Sequence, residues 1–313
     1  DVYKRQDIRG LKYLLSVEET GSITAAAREH FVTQPAVSMQ LKKLQEELGT
    51  LLFEIVGREV RFTAAGRMVL DYARRISVLE REMEGEISGI AGLIRGEVSI
   101  GTIDAASIYI LPAVYSSFRR QYPGIDIQVD VSPTLPLVER MLDGKLDFVV
   151  GTLDGEKHPG AEETEIFREE LIPIAPPGHP AAAKRGVDVE TFAGHPFISF
   201  HRESLTRRMI EAALLEMGVT LEVTMEIDSQ EAIKNLVASG LGLSILPHET
   251  VRGEIERGTL ARSRVRGLSI ERSIGLIMPV KRHVTAAARA FLDVMNSELK
   301  IDLSSAAERD SDE

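Results

Sequence analysis

The chain has 313 residues, 43% of them hydrophobic and 27% charged, which excludes a largely disordered or collagen-like protein and predicts two or three globular domains. It contains no Cys, which excludes a disulfide framework, thiolate metal ligands and a Cys nucleophile, and fits a reducing, cytoplasmic location. The net charge of −11 is unevenly placed: residues 1–95 hold 14 basic and 14 acidic side chains, so residues 96–313 carry the whole excess. A neutral head can still present a basic face, whereas the acidic remainder is a poor binder of polyanions.

Residues 1–6, which lack an initiating Met, read as a fragment end or a vector-derived scar, and no signal-peptide pattern follows. No apolar run approaches the roughly 18–20 residues that span a bilayer, so no membrane partner is expected. The first helical stripe is Ile8, Leu11, Leu14, Leu15 and Val17, stopped at Thr20-Gly21. A short helix follows, with Ser22 as its cap and Ala25, Ala26, Ala27 and Phe31 on it. Thr33 caps a third helix, with Pro35 in its first turn, a buried stripe of Val37, Leu41, Leu44 and Leu48, and Gly49 as its stop. Residues 51–55 and 60–63 read as a hairpin with Gly57 in the turn.

A long helix is predicted from Ala64 to about Leu93. Val69, Tyr72, Ile76, Leu79, Met83 and Ile90 recur at steps of three and four, with one gap at Glu86. This is a seam able to pair two copies of the helix. Beyond Gly96, strands alternate with helices, which predicts an α/β unit with a parallel sheet. Strands are expected over 98–103, 125–131, 146–150, 170–175, 197–200, 222–226, 243–245 and 273–278. Helices are expected over 108–121, 135–142, 205–217, 230–238, 248–257 and 285–299. Residues 302–313 are acidic and Ser-rich, as disordered tails are.

Two helices joined by a tight turn at 22–31 and 33–48 have the form of a helix-turn-helix, in which the second helix presents its N-terminal residues to base edges. Those residues are Thr33, Gln34, Pro35, Ser38 and Met39. Gln pairs with adenine through two bonds, and Ser and Thr bond bases or phosphates. Lys42 and Lys43 lie one turn on, and Arg58 and Arg61 lie in and after the hairpin turn, where they can neutralise phosphates. A helical hairpin that only packs would share this spacing.

The stretch LKYLLSVEETGSITAAAREHFVTQPAVSMQLKKLQEELGTLLFE, with VRFTAAG after it, resembles the N-terminal module of LysR-type transcriptional regulators. The resemblance continues through GTIDAASIYILPAVYSSFRRQYP and SGLGLSILP and covers nearly the whole chain. It implies an α/β protein with a winged helix-turn-helix at 7–66 and a linker and dimerisation helix at 67–95. A two-lobed effector domain similar to type 2 periplasmic binding proteins would follow at 96–301. Lobe one would take 96–167 and 270–300, and lobe two 168–269. The implied partners are double-stranded DNA, a small-molecule effector, further copies of the chain in a homodimer or homotetramer, and RNA polymerase. No cofactor and no enzymatic activity are implied. Gln34, Pro35 and Ser38 match positions that meet DNA, and Arg58 and Arg61 match wing arginines. Ile55 and Met39 stand where the family usually has Arg, which removes two polar contacts.

Effector contacts are expected at strand–helix junctions, where free N–H groups collect. They are Thr102, Asp104, Ser107, Ser132, Thr134 and Thr152 from lobe one, and Ser199, Arg202 and Ser204 from lobe two, with Asp228 and Ser229 at the rim. Many of the hydroxyls would serve only as helix caps. This polar set, with few aromatic side chains, points to a small polar or anionic ligand, although Phe200 and Tyr109 leave stacking open. No metal site is expected: the seven His residues are scattered, His179 and His195 precede Pro in loops, and His248-Glu249 lacks the second His of a zincin. No G-x-S-x-G elbow is present. A solute-binding or enzymatic α/β domain with a helical head is the alternative; it would want a signal peptide or a catalytic constellation.

Overall fold

A computed structural model describes residues 8–56, 59–90, 96–156, 158–183, 185–280 and 284–301. The chain divides into two units, Asp1–Glu84 and Gly85–Glu313. The first unit contains α1 (Ile8–Thr20), α2 (Ile23–Glu29), α3 (Gln34–Leu48), β1 (Phe53–Val56), β2 (Glu59–Phe62) and most of α4 (Ala64–Ile90). The apolar stripes converge: Leu11, Leu14 and Val17 of α1, Ala26 and Ala27 of α2, and Val37, Leu41 and Leu44 of α3 share one core with Leu52, Leu70 and Ala73. Ser22 caps α2, its Oγ accepting from the Ala25 amide at 3.4 Å. Thr33 occupies the cap position of α3, but its side chain makes no capping bond there. Phe31, expected on the second helix, lies past its end in the left-handed region, with φ +54° and 96% exposure.

The Thr-x-x-Gly run after the hairpin closes the head. Thr63 donates its amide to the Leu52 carbonyl at 2.9 Å and its hydroxyl to the Leu51 carbonyl at 2.8 Å. The same hydroxyl accepts from the Gly66 amide at 3.0 Å. A Cβ on Gly66 would sit 1.8 Å from the Leu52 carbonyl oxygen, so any other residue would push this contact apart.

The second unit is built on a seven-stranded sheet in the order β10-β6-β11-β5-β3-β4, with β9 paired to β6. In chain order its elements begin with β3 (Gly96–Thr102), α5 (Asp104–Tyr109), α6 (Leu111–Gln121), β4 (Ile125–Val131), α7 (Thr134–Leu142) and β5 (Phe148–Leu153). They continue with β6 (Ala161–Ala175), α8 (Val189–Ala193), β7 (Phe197–Ser199), α9 (Leu205–Glu216), β8 (Val223–Glu226) and α10 (Gln230–Ala238). The last are β9 (Ser244–Pro247), α11 (His248–Arg257), β10 (Ala261–Arg262), β11 (Ile270–Pro279) and α12 (Ala286–Leu299). The sheet is mixed rather than parallel. β3 runs parallel to β4 and β5, but β11 is antiparallel to both β5 and β6, and β6 to β9 and β10. The helix expected over 108–121 is two, because Pro112 lacks the N–H that would carry one helix through Ile110.

Two main apolar cores divide this unit. One gathers Val98, Ile100, Phe118, Phe148 and Phe291, and we call the elements around it lobe one. The other gathers Ile172, Phe192, Phe197, Ile233 and Ile245, around which lobe two is built. The β6–β11 ribbon belongs to both: Leu171 and Ile270 lie in the second core, Ile274 and Leu276 in the first. Its register shifts between Ile274 and Gly275, where β6 carries one extra residue, Ile166.

Candidate functional site

The head's α3 begins with four residues that the core leaves free. Thr33, Gln34 and Pro35 are exposed and Ser38 half-buried, while Val37 and Leu41 turn into the core. Gln34 donates Nε2–H to Ser38 Oγ at 2.8 Å, one helical turn on, which fixes the orientation of the carboxamide. One N–H and the carbonyl oxygen remain for a partner. Lys42 and Lys43 are exposed, and their ammonium groups stand 3.8 and 3.9 Å from Glu46 and Glu47, contacts that cost little to exchange for a phosphate. Arg61 is likewise exposed, 3.6 Å from Glu59. Arg58 lies outside the described residues. Met39 is 73% exposed on the same helix end.

The predicted seam on α4 divides between two roles. Val69 and Ile76 are partly buried and pack on the head's own core. Tyr72, Leu79 and Met83 are 57%, 62% and 54% exposed and form the free part of the stripe, joined by Met68.

In the second unit a cavity of about 350 Å³ opens between the lobes. Asp104, Ser132, Thr134 and Thr152 line it from lobe one, and Ser204, Asp228 and Ser229 from lobe two. The amide of Gln230, which begins α10, donates to Asp104 Oδ2 across the lobes at 3.1 Å. Thr134 Oγ1 accepts from the Thr152 amide at 3.1 Å, an approach that Gly151 permits, since a Cβ there would lie 2.8 Å from that oxygen. Ser132 Oγ donates to Asp130 at 3.3 Å and accepts from Arg140 at 3.2 Å. Ser229 caps α10 through the Ala232 amide, whereas Ser204 precedes α9 without a capping bond.

Four expected contacts are not on this wall. Thr102 is fully buried in β3, and its hydroxyl is turned to the Ile103 carbonyl at 3.5 Å. Ser107 donates to the Asp104 carbonyl at 2.9 Å. Ser199 is buried with its Oγ unpartnered. The Arg202 side chain is 84% exposed, 3.5 Å from Glu226. Thr102 and Ser107 are turned to their local backbone and Arg202 to a surface carboxylate rather than to the cleft.

The wall's strongest group was not expected. Arg272 of β11 is 2% exposed; its Nε donates to Glu169 at 2.7 Å and its Nη1 to Thr206 Oγ1 at 2.7 Å. Its Nη2 is buried with no hydrogen-bond partner. Burial pulls the guanidinium pKa down, and Glu169 opposes that shift. Gln230, another lining residue, is buried with its Oε1 unpartnered. Phe200 supplies an apolar face, while Tyr109 is not on the wall. No local motif announces Arg272, because its partner Glu169 is 103 residues away.

A second tie joins the lobes at α5. Lys234 Nζ donates to Tyr109 Oη at 3.1 Å, to the Thr250 carbonyl at 3.0 Å and to Glu254 at 3.3 Å, and pairs with Glu231 at 2.6 Å. Tyr109 also donates to Glu231. Elsewhere the fold joins His residues that looked scattered: the His179 and His195 rings meet edge-on at 4.6 Å.

Comparison with known proteins follows this division. Residues 8–67 match the family described as bacterial regulatory helix-turn-helix protein, lysR family, and residues 91–300 match the LysR substrate binding domain. A RuBisCO operon transcriptional regulator of Allochromatium vinosum is 34% identical, over 93% of this chain and 96% of its own length. The HTH-type transcriptional activator CmpR of a Synechocystis species is 31% identical, over 93% and 95%. Among solved structures, a full-length OxyR variant from Pseudomonas aeruginosa has a TM-score of 0.66 at 22% identity, covering 95% of this chain and 98% of that one. Full-length CbnR complexed with its target DNA has a TM-score of 0.64 at 22% identity, covering 93% and 99%.

Proposed function

The chain belongs to the LysR family of bacterial transcriptional regulators, DNA-binding proteins rather than enzymes, and from that premise we propose that it senses a small anionic metabolite in the interlobe cavity. The observation that carries this reading is Arg272: a buried cation among the residues lining the cavity, with its Nη2 group unpartnered, gains most from a ligand oxygen bearing negative charge. Gln230 Oε1 asks in turn for a donor, such as a ligand hydroxyl. Unmade, each bond leaves a desolvated polar group, so a ligand with both features is favoured over one with either.

The mechanism is a population shift. The ligand bridges groups from both lobes and β11, favours one relative pose of the lobes, and alters how paired heads meet their half-sites. The head reads base edges with Gln34 and Ser38 and neutralises phosphates with Lys42, Lys43, Arg58 and Arg61. The chain works in the cytoplasm as a homodimer or homotetramer paired through α4, and acts on RNA polymerase at the promoter. The relative named for a RuBisCO operon makes such an operon's upstream DNA the first operator to test.

Thermal shift of the full chain against carboxylates, phosphates, sulfate, amino acids and aromatic acids tests the ligand class. A ligand at 100 times its Kd stabilises the native state by about 2.7 kcal/mol. Small hydroxylated anions should raise Tm, and Arg272→Lys, which keeps the charge but loses the planar fork, should abolish most of that rise. Stabilisation by bulky apolar compounds alone would reject the anion reading. A low-salt gel shift on the operator tests the regulator reading independently.

A further inference from the structure

The loop from β5 to β6 brings three metal-ligating side chains to one point. Asp154 and His158 lie on the loop, and Glu163 is the third residue of β6, opposite Ile277 of β11. His158 Nε2 stands 3.8 Å from Asp154 Oδ1 and 3.6 Å from Glu163 Oε1, and the three ligand atoms lie within 4.8 Å of one another. The three side chains are 13%, 18% and 19% exposed in chain order.

These separations are too long for hydrogen bonds, and a protonated imidazole held for its charge alone would close to about 2.7–2.9 Å. Glu163 Oε1 is buried and receives no hydrogen bond, although it faces the cluster. An ion held at about 2.0–2.2 Å from each ligand sets ligand atoms roughly 3–3.5 Å apart, so the two His158 separations need to close by a few tenths of an ångström and that between the carboxylates, within 4.8 Å, by up to about 1.3 Å. Burial disfavours the Glu163 carboxylate and raises its pKa; His158 lowers it and Asp154 raises it further.

We propose that Asp154, His158 and Glu163 form a binding site for a divalent transition-metal ion of the Zn²⁺ or Mn²⁺ type, outside the effector cavity. One imidazole nitrogen and two carboxylates suit such ions; Mg²⁺ takes oxygen ligands and keeps its waters, and a chain without Cys offers no thiolate for a soft ion. Three protein ligands leave positions for water, as in open sites. The site also touches the lobe boundary, because Asp154 Oδ2 lies 3.5 Å from Arg208 Nη2 of α9. A bound ion would share Asp154 with Arg208 and so tie metal occupancy to the pose of lobe two.

The test is isothermal titration of the chelator-treated, tag-free full chain with ZnSO₄ and MnCl₂, with MgCl₂ as control. One ion per chain is expected for Zn²⁺, and weaker or no binding for Mg²⁺. His158→Ala and Glu163→Gln should each weaken Zn²⁺ binding by at least about tenfold. Co²⁺ should give a visible absorption band in the parent chain that is lost in His158→Ala. No stoichiometric binding at millimolar ion would overturn the proposal, as would unchanged affinity in both variants. If Glu163→Gln melts early, His158→Ala, on the loop, still decides.

Discussion

Gln34, which we propose reads a base edge, is held in place before any contact. Its bond to Ser38 Oγ removes rotamer freedom before any partner arrives, so less entropy is lost on contact. Gln34→Ala should weaken specific binding by about 1–3 kcal/mol and relax base choice at one position. Ser38→Ala should do so by less, through a loosened Gln34. Titration against an operator and its single-base variants checks both, and an unchanged specificity ratio in Gln34→Ala would count against the assignment. Arg272 is the opposite case at this scale. Gln34 is legible from its place after a helix cap; Arg272 is not, because it is one residue in a strand whose meaning depends on Glu169, Thr206 and a cavity assembled from distant segments.

Among elements, those with strong local signals are legible in the sequence. The helices Gln230–Ala238 and His248–Arg257 fall where amphipathic spacing, a Ser cap and a terminal Gly put them. β6 is not legible at its full 15 residues, because AEETEIFREE places Glu at successive positions and hides the alternation that marks a strand. The seam on α4 is half legible: spacing finds the stripe, but a second apolar surface, the head's core, takes Val69 and Ile76 from it. Leu79→Asp with Met83→Asp should therefore reduce the oligomer in sedimentation while the head stays folded, since both are exposed in the single chain. Ile76→Asp should unfold the head as well. An oligomer unaffected by the first pair would place the interface elsewhere.

The α5–α10 tie has its own signature in pH. Burial works against the Glu231 carboxylate, but the bonds from Lys234 and Tyr109 outweigh it and lower its pKa. A carboxyl whose folded pKa is depressed adds stability that is fully present above its unfolded pKa, about 4.3, and fades as pH falls through the folded pKa. Glu231→Gln should thus lower Tm at neutral pH and flatten its fall across that acid window. Parallel melting curves for parent and variant through the window would show the tie contributes nothing.

At the scale of the whole molecule, the division of charge assigns the work. The excess of −11 lies beyond residue 95, so attraction to a polyanion rests on the few cations of the head. No helix among the described residues is long and apolar enough to cross a membrane. Within the second unit, the β6–β11 ribbon serves both lobes, and its extra residue Ile166 acts as a phase inverter. A strand has two faces in strict alternation, so one inserted residue exchanges the faces of everything upstream relative to everything downstream. Ala161–Glu165 and Phe167–Ala175 are therefore two half-strands of opposite parity, each matched to its own surroundings. Deleting Ile166 should leave the ladder continuous and Glu163 still opposite Ile277, but remove the twist that the extra residue adds to the ribbon between the two cores. The deletion should lower Tm, and a chain that melted as the parent does would show that the ribbon does without that twist.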